Sequence, residues 1–164
     1  MKAIDLIRWA LRQSDEGTNA LVEDMRAVPL TQPTERGGNH PLWVMGHLAF
    51  VEGAVTQIIS GEPNPYAHWK PLFGTGTQPK PDASLYPSFD DVLRAYRDGR
   101  ARTLNMLDAV GEGELDRKPD NVPAGFEDAM KTVGQSFLLI TLHQMVHYGQ
   151  IADARRVAGR KPLI

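Results

Sequence analysis

Four long segments of this chain place apolar residues at the three- and four-residue spacing of an α-helix, and no segment alternates with the two-residue period of a strand. Residues at the helical spacing line one side of a helix, so each segment must bury that side against another. The segments run from about Lys2 to Val28, from Asn39-His40-Pro41 to about Ser60, from Ser88 to about Val110, and from about Phe126 to Ala158. The pattern predicts an all-α protein with a single four-helix bundle.

Proline and glycine mark the ends of the predicted helices. Pro29 and Pro33 end the first helix, because a proline ring has no N–H to continue the hydrogen-bonding pattern. Pro41 suits the first turn of the second helix, and Gly61 suits the position just after its last turn. Gly17 lies in the middle of the first helix, where glycine costs about 1 kcal/mol relative to alanine, and it suggests a bend there.

Residues 61–87 differ in composition from the helical segments. They hold six of the twelve prolines and show no sustained helical period. A connection of this length without regular structure is uncommon inside a compact domain and is usually functional or disordered. Aromatic residues indicate that it packs on the protein: Tyr66, Trp69, Phe73 and Tyr86. We interpret it as a long crossover between helices 2 and 3, which then run parallel, with part of the loop capping a pocket at one end of the bundle.

Length, charge and cysteine content limit the class of protein. A chain of 164 residues has the size of one domain, here 1–164, and its net charge of −2 gives no footprint for nucleic acid or an anionic membrane. Asp5, Arg8 and Arg12 interrupt the N-terminal segment, so no signal peptide is expected and the predicted location is cytoplasmic. The absence of cysteine excludes disulfides and a catalytic thiol, so any thiol must come from a cosubstrate.

Three histidines on the predicted second and fourth helices form the candidate site. His143 and His147 are four residues apart, which places them on one face of a helix with Cβ atoms about 5–6 Å apart, close enough to share a divalent ion. His47 lies on the apolar side of the second helix and can add a third ligand. Three protein nitrogens with an open position are typical of a catalytic metal site. The alternative is that each histidine simply packs in a core or lies at the surface.

Two residues near these histidines are candidates for supporting roles. Trp43 falls on the same helical stripe as His47 and is a candidate pocket residue. Gln150 lies one turn past His147 and can orient an imidazole ring or a bound group by hydrogen bonding. An ordinary polar position at the edge of the bundle is an equally good interpretation of Gln150.

The other two histidines are assigned differently. His68, within residues 61–87, can move onto the open coordination position or act as an acid or base, and the alternative is an exposed loop histidine. His40 precedes Pro41, which disfavours a helical conformation at His40. We therefore assign His40 to the helix cap or to solvent.

Several common catalytic motifs are absent. A zinc peptidase of the HExxH type needs a glutamate base after the first histidine, and Gln144 occupies that position. A di-iron carboxylate bundle needs Glu-x-x-His twice, and that pattern does not occur. The nucleophile elbow, the dinucleotide-binding glycine motif and the P-loop are also missing.

Two strings resemble the signatures of the DinB/YfiT-like superfamily, and the resemblance spans nearly the whole chain. NHPLWVMGHLAFVEG resembles the helix-two signature, in which Gly46-His47-Leu48 supplies one metal ligand, and HQMVHYGQIADARR resembles the helix-four signature, with His143 and His147. The resemblance implies a four-helix bundle, often dimeric, with a three-histidine site for a divalent metal. Some members are metal-dependent S-transferases or isomerases that use low-molecular-weight thiols such as bacillithiol, mycothiol or glutathione. Many others have no assigned reaction.

Two functions from different classes follow. The first is a metal-dependent enzyme, of the thiol S-transferase/isomerase type or a hydrolase, acting on a small molecule. The second is a stress-related protein that holds a metal or ligand without turnover. Three neutral imidazoles suit one Zn, Ni or Fe ion, and the sequence does not choose among these metals.

The first helix carries more apolar residues than one narrow stripe requires. Trp9, Val22 and Leu30 are among the surplus. A contiguous exposed apolar patch often marks a protein interface, and a twofold homodimer is the commonest closed assembly. The sequence therefore predicts a homodimer.

Overall fold

The computed structural model describes residues 1–28, 30–32 and 38–163. Within these residues the chain forms helices, turns and irregular segments, and no strand, as the sequence predicts. The five α-helices are α1 (Ala3–Asp24), α2 (Pro41–Ser60), α3 (Lys70–Phe73), α4 (Phe89–Val110) and α5 (Val133–Val157). Pro29 and Pro33, the predicted terminators of the first helix, lie outside the described residues.

The four long helices pack in pairs around two apolar clusters. α2 contacts α4 and α5, and α1 contacts α5 and α4. One cluster joins the N-terminal parts of α2 and α4 to the C-terminal parts of α1 and α5, and it includes Met45, Tyr96 and Ile151. The other joins the opposite helix halves, with Leu11, Ile59, Leu107 and Phe137 among its members. Burial of these apolar faces is the main driving force for the fold.

α1 continues without interruption through Gly17, where the absence of a side chain allows α5 to pack closely. A Cβ atom added there would lie 3.2 Å from Cε2 of Tyr148 on α5, so glycine lets that ring rest against the α1 backbone. Val22 is fully buried in the core. The prediction that it adds to an exposed patch was therefore wrong, whereas Trp9 is 60% exposed.

α5 begins at Val133, seven residues later than the apolar pattern predicts. Thr132 is the N-cap of a capping box: its Oγ1 accepts a hydrogen bond from the backbone N–H of Gln135 at 3.2 Å, and its own N–H donates to Oε1 of Gln135 at 3.1 Å. These two bonds satisfy backbone donors that the first turn of a helix leaves free. Residues 126–132 form turns, and Phe126 is exposed.

The connection between α2 and α4 contains short helical elements, where the sequence shows no sustained period. α3 lies within it, flanked by 3₁₀ turns at Ala67–Trp69 and Ala83–Leu85. α3 packs against α2, and the Phe73 side chain at its end is fully buried. This segment therefore covers one side of α2.

Among the described residues, α2 alone is long and apolar enough to cross a membrane by length and composition. Most of its apolar stretch is buried against other parts of the protein. A buried core helix passes the same test, so this feature is weak support for a membrane span.

Candidate metal centre

The ring nitrogens of three histidines converge between α2 and α5. Nε2 of His143 lies 3.2 Å from Nε2 of His47 and 3.1 Å from Nε2 of His147. His47 and His147 are buried and His143 is half-buried. The helical period places His143 and His147 on one face of α5, and the packing of α2 against α5 brings His47 to them. These three residues are the ones that the sequence singles out.

Hydrogen bonds fix the tautomers of two of the rings. Nδ1 of His47 lies 2.7 Å from the carbonyl oxygen of Phe73, and Nδ1 of His147 lies 2.8 Å from Oε1 of Gln150. A carbonyl or amide oxygen only accepts, so both Nδ1 atoms carry the proton and donate. Nε2 of each ring is therefore an unprotonated donor atom for a metal. Asn39 donates to the same Oε1 of Gln150 at 3.1 Å, which holds the amide in this orientation.

His143 is held differently from the other two. Its Nδ1 is buried and has no hydrogen-bond partner among the described residues. Its Nε2 faces the lone pairs of two neighbouring imidazoles. A cation between the three nitrogens would satisfy all three Nε2 atoms at once. The donor set therefore fits a divalent metal.

The spacing of the nitrogens also fits a metal. A Zn–N bond of about 2.0–2.1 Å in tetrahedral geometry places two ligand nitrogens roughly 3.3 Å apart. The two Nε2 separations from His143 are 3.1 and 3.2 Å. Ligand atoms of all three residues lie within 4.8 Å of one another.

Burial keeps the three imidazoles in the neutral form that binds metals. It lowers the pKa of His47 and of His143 to about 4, with a smaller contribution from the neighbouring rings. It also lowers the pKa of His147, although the hydrogen bond with Gln150 partly opposes this effect. Protons therefore compete weakly for these nitrogens at neutral pH.

Residues 72–77, from the end of α3 onwards, form hydrogen bonds with Trp43 and His47 of α2. The indole of Trp43 stacks on the His47 ring, with centroids 4.8 Å apart and planes 7° from parallel. Nε1 of Trp43 donates to the Leu72 carbonyl at 3.0 Å and is 3.1 Å from Oγ1 of Thr77. Trp43 therefore supports one ligand and anchors part of the 61–87 segment beside it.

Gly46 makes this arrangement possible. A Cβ atom at Gly46 would lie 2.1 Å from Cε1 of Phe73, far inside contact distance. Because Gly46 has no side chain, the Phe73 ring can lie directly against the backbone of α2 at the residue that precedes His47. This close approach lets the Phe73 carbonyl reach Nδ1 of His47.

The remaining two histidines lie outside the cluster. His40 is the N-cap of α2: its Nδ1 accepts from the backbone N–H of Trp43 at 3.0 Å, and its Nε2–H donates to the Lys80 carbonyl at 2.9 Å. The assignment to the cap is confirmed, and the ring is buried. His68 is exposed, and its ring lies 5.8 Å from that of Trp69. It lies on the surface of the connection between α2 and α4.

Sequence reasoning missed a buried polar network behind the histidines. Glu52 of α2 pairs with Arg100 of α4, and both contact neighbours from other helices. Gln144, considered above only as a missing base, lies at the centre of this network. The sequence signal that could have indicated this network is the presence of Glu52 and Gln144 within otherwise apolar runs.

A family model for the DinB superfamily matches residues 10–151. This range covers most of the chain and includes the three histidines, so the chain belongs to the DinB superfamily. The comparison with curated proteins returned no match.

We predict that Gly46→Ala destabilises the protein by roughly 1–3 kcal/mol, because the added methyl group must displace the buried Phe73 ring. Gly149→Ala is the matched control: a Cβ at Gly149 meets nothing within 4 Å, so this change should raise stability by up to about 1 kcal/mol. Urea denaturation measures both effects. Equal stability of the two variants would contradict the packing account.

We also predict that acid destabilises the chelator-treated protein through its buried histidines. Folding lowers the pKa of His47 from its ordinary value of 6.5 to about 4. Below pH 6.5, therefore, His47 binds a proton more readily in the unfolded chain than in the folded protein. Stability should therefore fall as pH drops from about 6.5 towards 4, by roughly 1.4 kcal/mol per pH unit for each such histidine.

The contribution of His47 is isolated by comparing variants. His47→Gln should flatten the dependence of the unfolding free energy on pH between about 6.5 and 5. His68→Gln, at an exposed position, is the matched control. Denaturant titrations at a series of pH values provide the slopes. A His47→Gln slope equal to that of the wild type would show that this ring is not the titrating group.

Proposed function

We propose that this protein binds one divalent metal ion through Nε2 of His47, His143 and His147 and acts as a metal-dependent enzyme on a small molecule. The observation that carries the proposal is the convergence of three neutral imidazoles, two of them held by hydrogen bonds on their outer nitrogens. Membership of the DinB superfamily supports it. The reaction type we infer is thiol S-transfer or isomerisation, with hydrolysis as the related possibility.

Imidazole nitrogens are ligands for Zn, Ni and Fe, and the donor set accepts any of these three ions. Three protein ligands leave at least one position for a substrate. A metal in this position acts as a Lewis acid and lowers the pKa of a water or thiol that it binds. The protein supplies the fixed ligands: the Phe73 carbonyl orients His47, and Gln150 orients His147.

The partners of the rings favour a thiol over water as the activated group. Within the described residues, the hydrogen-bond partners of the three imidazoles are a backbone carbonyl, an amide and one another, and none is a carboxylate. No carboxylate among these partners is placed to act as a general base. A thiol with a pKa of about 8.5 needs less help to ionise than water, at about 15.7. Since the chain has no cysteine, the thiol would be a low-molecular-weight cosubstrate.

We infer that residues 72–77 control access to the metal from one side. Trp43 binds this segment through Leu72 and Thr77, and the segment in turn holds His47 through Phe73. A substrate approaching on that side must pass these residues. His68 lies on the surface of the same connection and is a candidate only if the segment rearranges.

A second candidate is a stress-related protein that holds a metal or ligand without turnover. Two observations favour it. No carboxylate within the described residues is hydrogen-bonded to the three imidazoles, and three cavities of about 480, 440 and 190 Å³ are lined by other residues. Turnover with a thiol and an electrophile separates the two candidates.

The architecture we propose is one domain over 1–164, a four-helix bundle in which residues 61–87 cross over between parallel α2 and α4. The shared clusters support it: Met45 and Val92, near the starts of the two helices, belong to one cluster, and Ile59 and Leu107, near their ends, belong to the other. We further propose a cytoplasmic protein that binds neither membrane nor nucleic acid, in keeping with its net charge of −2.

Exposed apolar side chains on α1 and α5 support assembly as a homodimer. They include Leu6 and Trp9 on α1, and Leu138, Leu142, Met145 and Val146 on α5. Because α1 and α5 pack against each other, these residues lie on neighbouring helices. Apolar surface of this kind is typical of a subunit interface.

We predict that alanine at any one of His47, His143 and His147 lowers metal content sharply. The variants should also lose the thermal stabilisation that added metal gives the wild type, because a ligand that binds only the folded state stabilises it. Elemental analysis of tag-free protein and thermal denaturation with and without zinc test this. His68→Ala, at an exposed position, is the matched control and should retain full metal content.

Full metal occupancy in all three single variants would refute the site. With wild-type metal content established, a screen of bacillithiol, mycothiol and glutathione against a panel of electrophiles tests catalysis. Metal-dependent conjugation that disappears in the variants supports the enzyme. Stoichiometric metal without turnover of any thiol or hydrolysable substrate favours the holding protein.

We predict a mass in solution twice the 18.2 kDa of one chain. Replacing Leu142 and Val146, both 64% exposed, with glutamate should shift the protein to monomer without unfolding it. Light scattering at micromolar concentration measures both states. A wild-type mass near that of one chain would contradict the dimer.

A further inference from the structure

A buried ion pair lies in the centre of the helices, between α2 and α4. Nη2 of Arg100 is 2.5 Å from Oε1 of Glu52, and each side chain is 2% exposed. Oε2 of Glu52 accepts a hydrogen bond from Thr103 at 2.6 Å, and Nη1 of Arg100 donates to the Leu11 carbonyl on α1 at 3.2 Å. The pair therefore connects three helices.

Gln144 connects this pair to α5. Its Oε1 accepts hydrogen bonds from Arg100 and from Ser14 of α1. Its Nε2 donates to the Ser14 carbonyl at 3.0 Å and has Thr18 and Tyr96 within hydrogen-bond distance. The side chain is completely buried, so nearly all its hydrogen-bonding capacity is used inside the protein.

The network joins the two helices that carry the metal ligands. Glu52 follows His47 on α2, and Gln144 directly follows His143 on α5. Consecutive residues of an α-helix point about 100° apart, so the rotation of α5 that directs Gln144 into the network also directs His143 towards α2. Any rotation or slide of α5 that misaligned the histidines would break the bonds of Gln144.

A stability role alone explains this network poorly. Removing two charges from water costs several kcal/mol per ion, and well-packed apolar replacements of such a pair are often neutral or stabilising. Nε of Arg100 also has no hydrogen-bond partner among the described residues. Directional bonds, by contrast, fix one rotation and one register, which apolar contacts do less strictly.

We propose that Glu52, Arg100 and Gln144 are positioning residues that fix the rotation of α5 relative to α2 and thereby align His143 and His147 with His47. The inference rests on the proposed metal-binding function, because its consequence is a preorganised three-nitrogen site. Preorganisation raises metal affinity, since ligands that are already in place lose less entropy on binding.

The first test removes the network while keeping an apolar core. In the variant Glu52→Leu/Arg100→Met/Gln144→Leu, Ser14 keeps its hydrogen bond to the Leu11 carbonyl. The variant should unfold at or above the wild-type temperature. Its zinc affinity, measured by competition with a chromophoric chelator, should be roughly 10- to 100-fold weaker than that of the wild type. A stable variant with unchanged affinity would overturn the proposal.

If the triple variant does not fold, a single substitution provides the same test. Gln144→Met retains the ion pair and should also weaken zinc binding about tenfold or more. Gln57→Met, at an exposed position on α2, is the control and should bind zinc as the wild type does. Unchanged affinity in Gln144→Met would equally overturn the proposal.

A metal-free readout separates this proposal from the proposed function. Proton–proton contacts by NMR between the His47 and His147 rings, whose centroids are 4.9 Å apart, should be present in the chelator-treated wild type and lost in Gln144→Met. Contacts retained in the variant would refute the positioning role. Wild-type protein that binds no metal would refute the function, while loss of the ring contacts in the variant would still support alignment by the network.

Discussion

The contact between the Phe73 carbonyl and Nδ1 of His47 links the connection between α2 and α4 to the candidate metal centre. It exists because Gly46 lets the Phe73 ring lie against the backbone of α2. The same contact fixes the tautomer of His47, so Nε2 faces His143 and His147 without a proton. Gly46 thus determines both how the connecting segment packs and which nitrogen of His47, a candidate ligand, carries the proton.

The candidate ligands on α2 and on α5 are held by different kinds of contact. His47 is supported by the backbone carbonyl of Phe73 and by the stacked indole of Trp43. His147 is supported by Gln150 of its own helix, and Gln150 is held by Asn39 at the start of α2. Outer hydrogen bonds of this kind orient metal-bound histidines and raise their basicity. His143 has no such bond among the described residues, so its position depends on the packing of α5.

Helical periodicity was sufficient to find the three histidines and the all-α fold, because it depends only on local geometry. The spacing of His143 and His147 and the apolar side of α2 around His47 could both be read from the chain. The start of α5 was misplaced because an apolar period does not reveal where Thr132 and Gln135 close a capping box. Val22 was misassigned to the surface for a related reason, since a helix packed on two neighbours buries more than one stripe.

The hydrogen bond between Gln150 and His147 could be anticipated from their spacing on one helix, whereas the contacts of Phe73 and Gln144 depend on tertiary packing and could not. A backbone carbonyl such as that of Phe73 carries no sequence signal, and Gln144 gives no indication that it meets Arg100 across the interior. The motif Gly46-His47 is explicable only when the residue that occupies the space above the glycine is known. Sequence reasoning thus identified the three histidines, with Trp43 and Gln150 beside them, but not the contacts that Phe73 and Gln144 make.

The central claim is that a single ion is bound by three imidazole nitrogens from α2 and α5. X-ray absorption at the zinc edge of the stoichiometrically loaded protein measures this directly, through both the metal–ligand distance and the outer-shell scattering of imidazole rings. We predict three imidazoles with Zn–N distances of about 2.0–2.1 Å. A spectrum with one imidazole or none would contradict the claim.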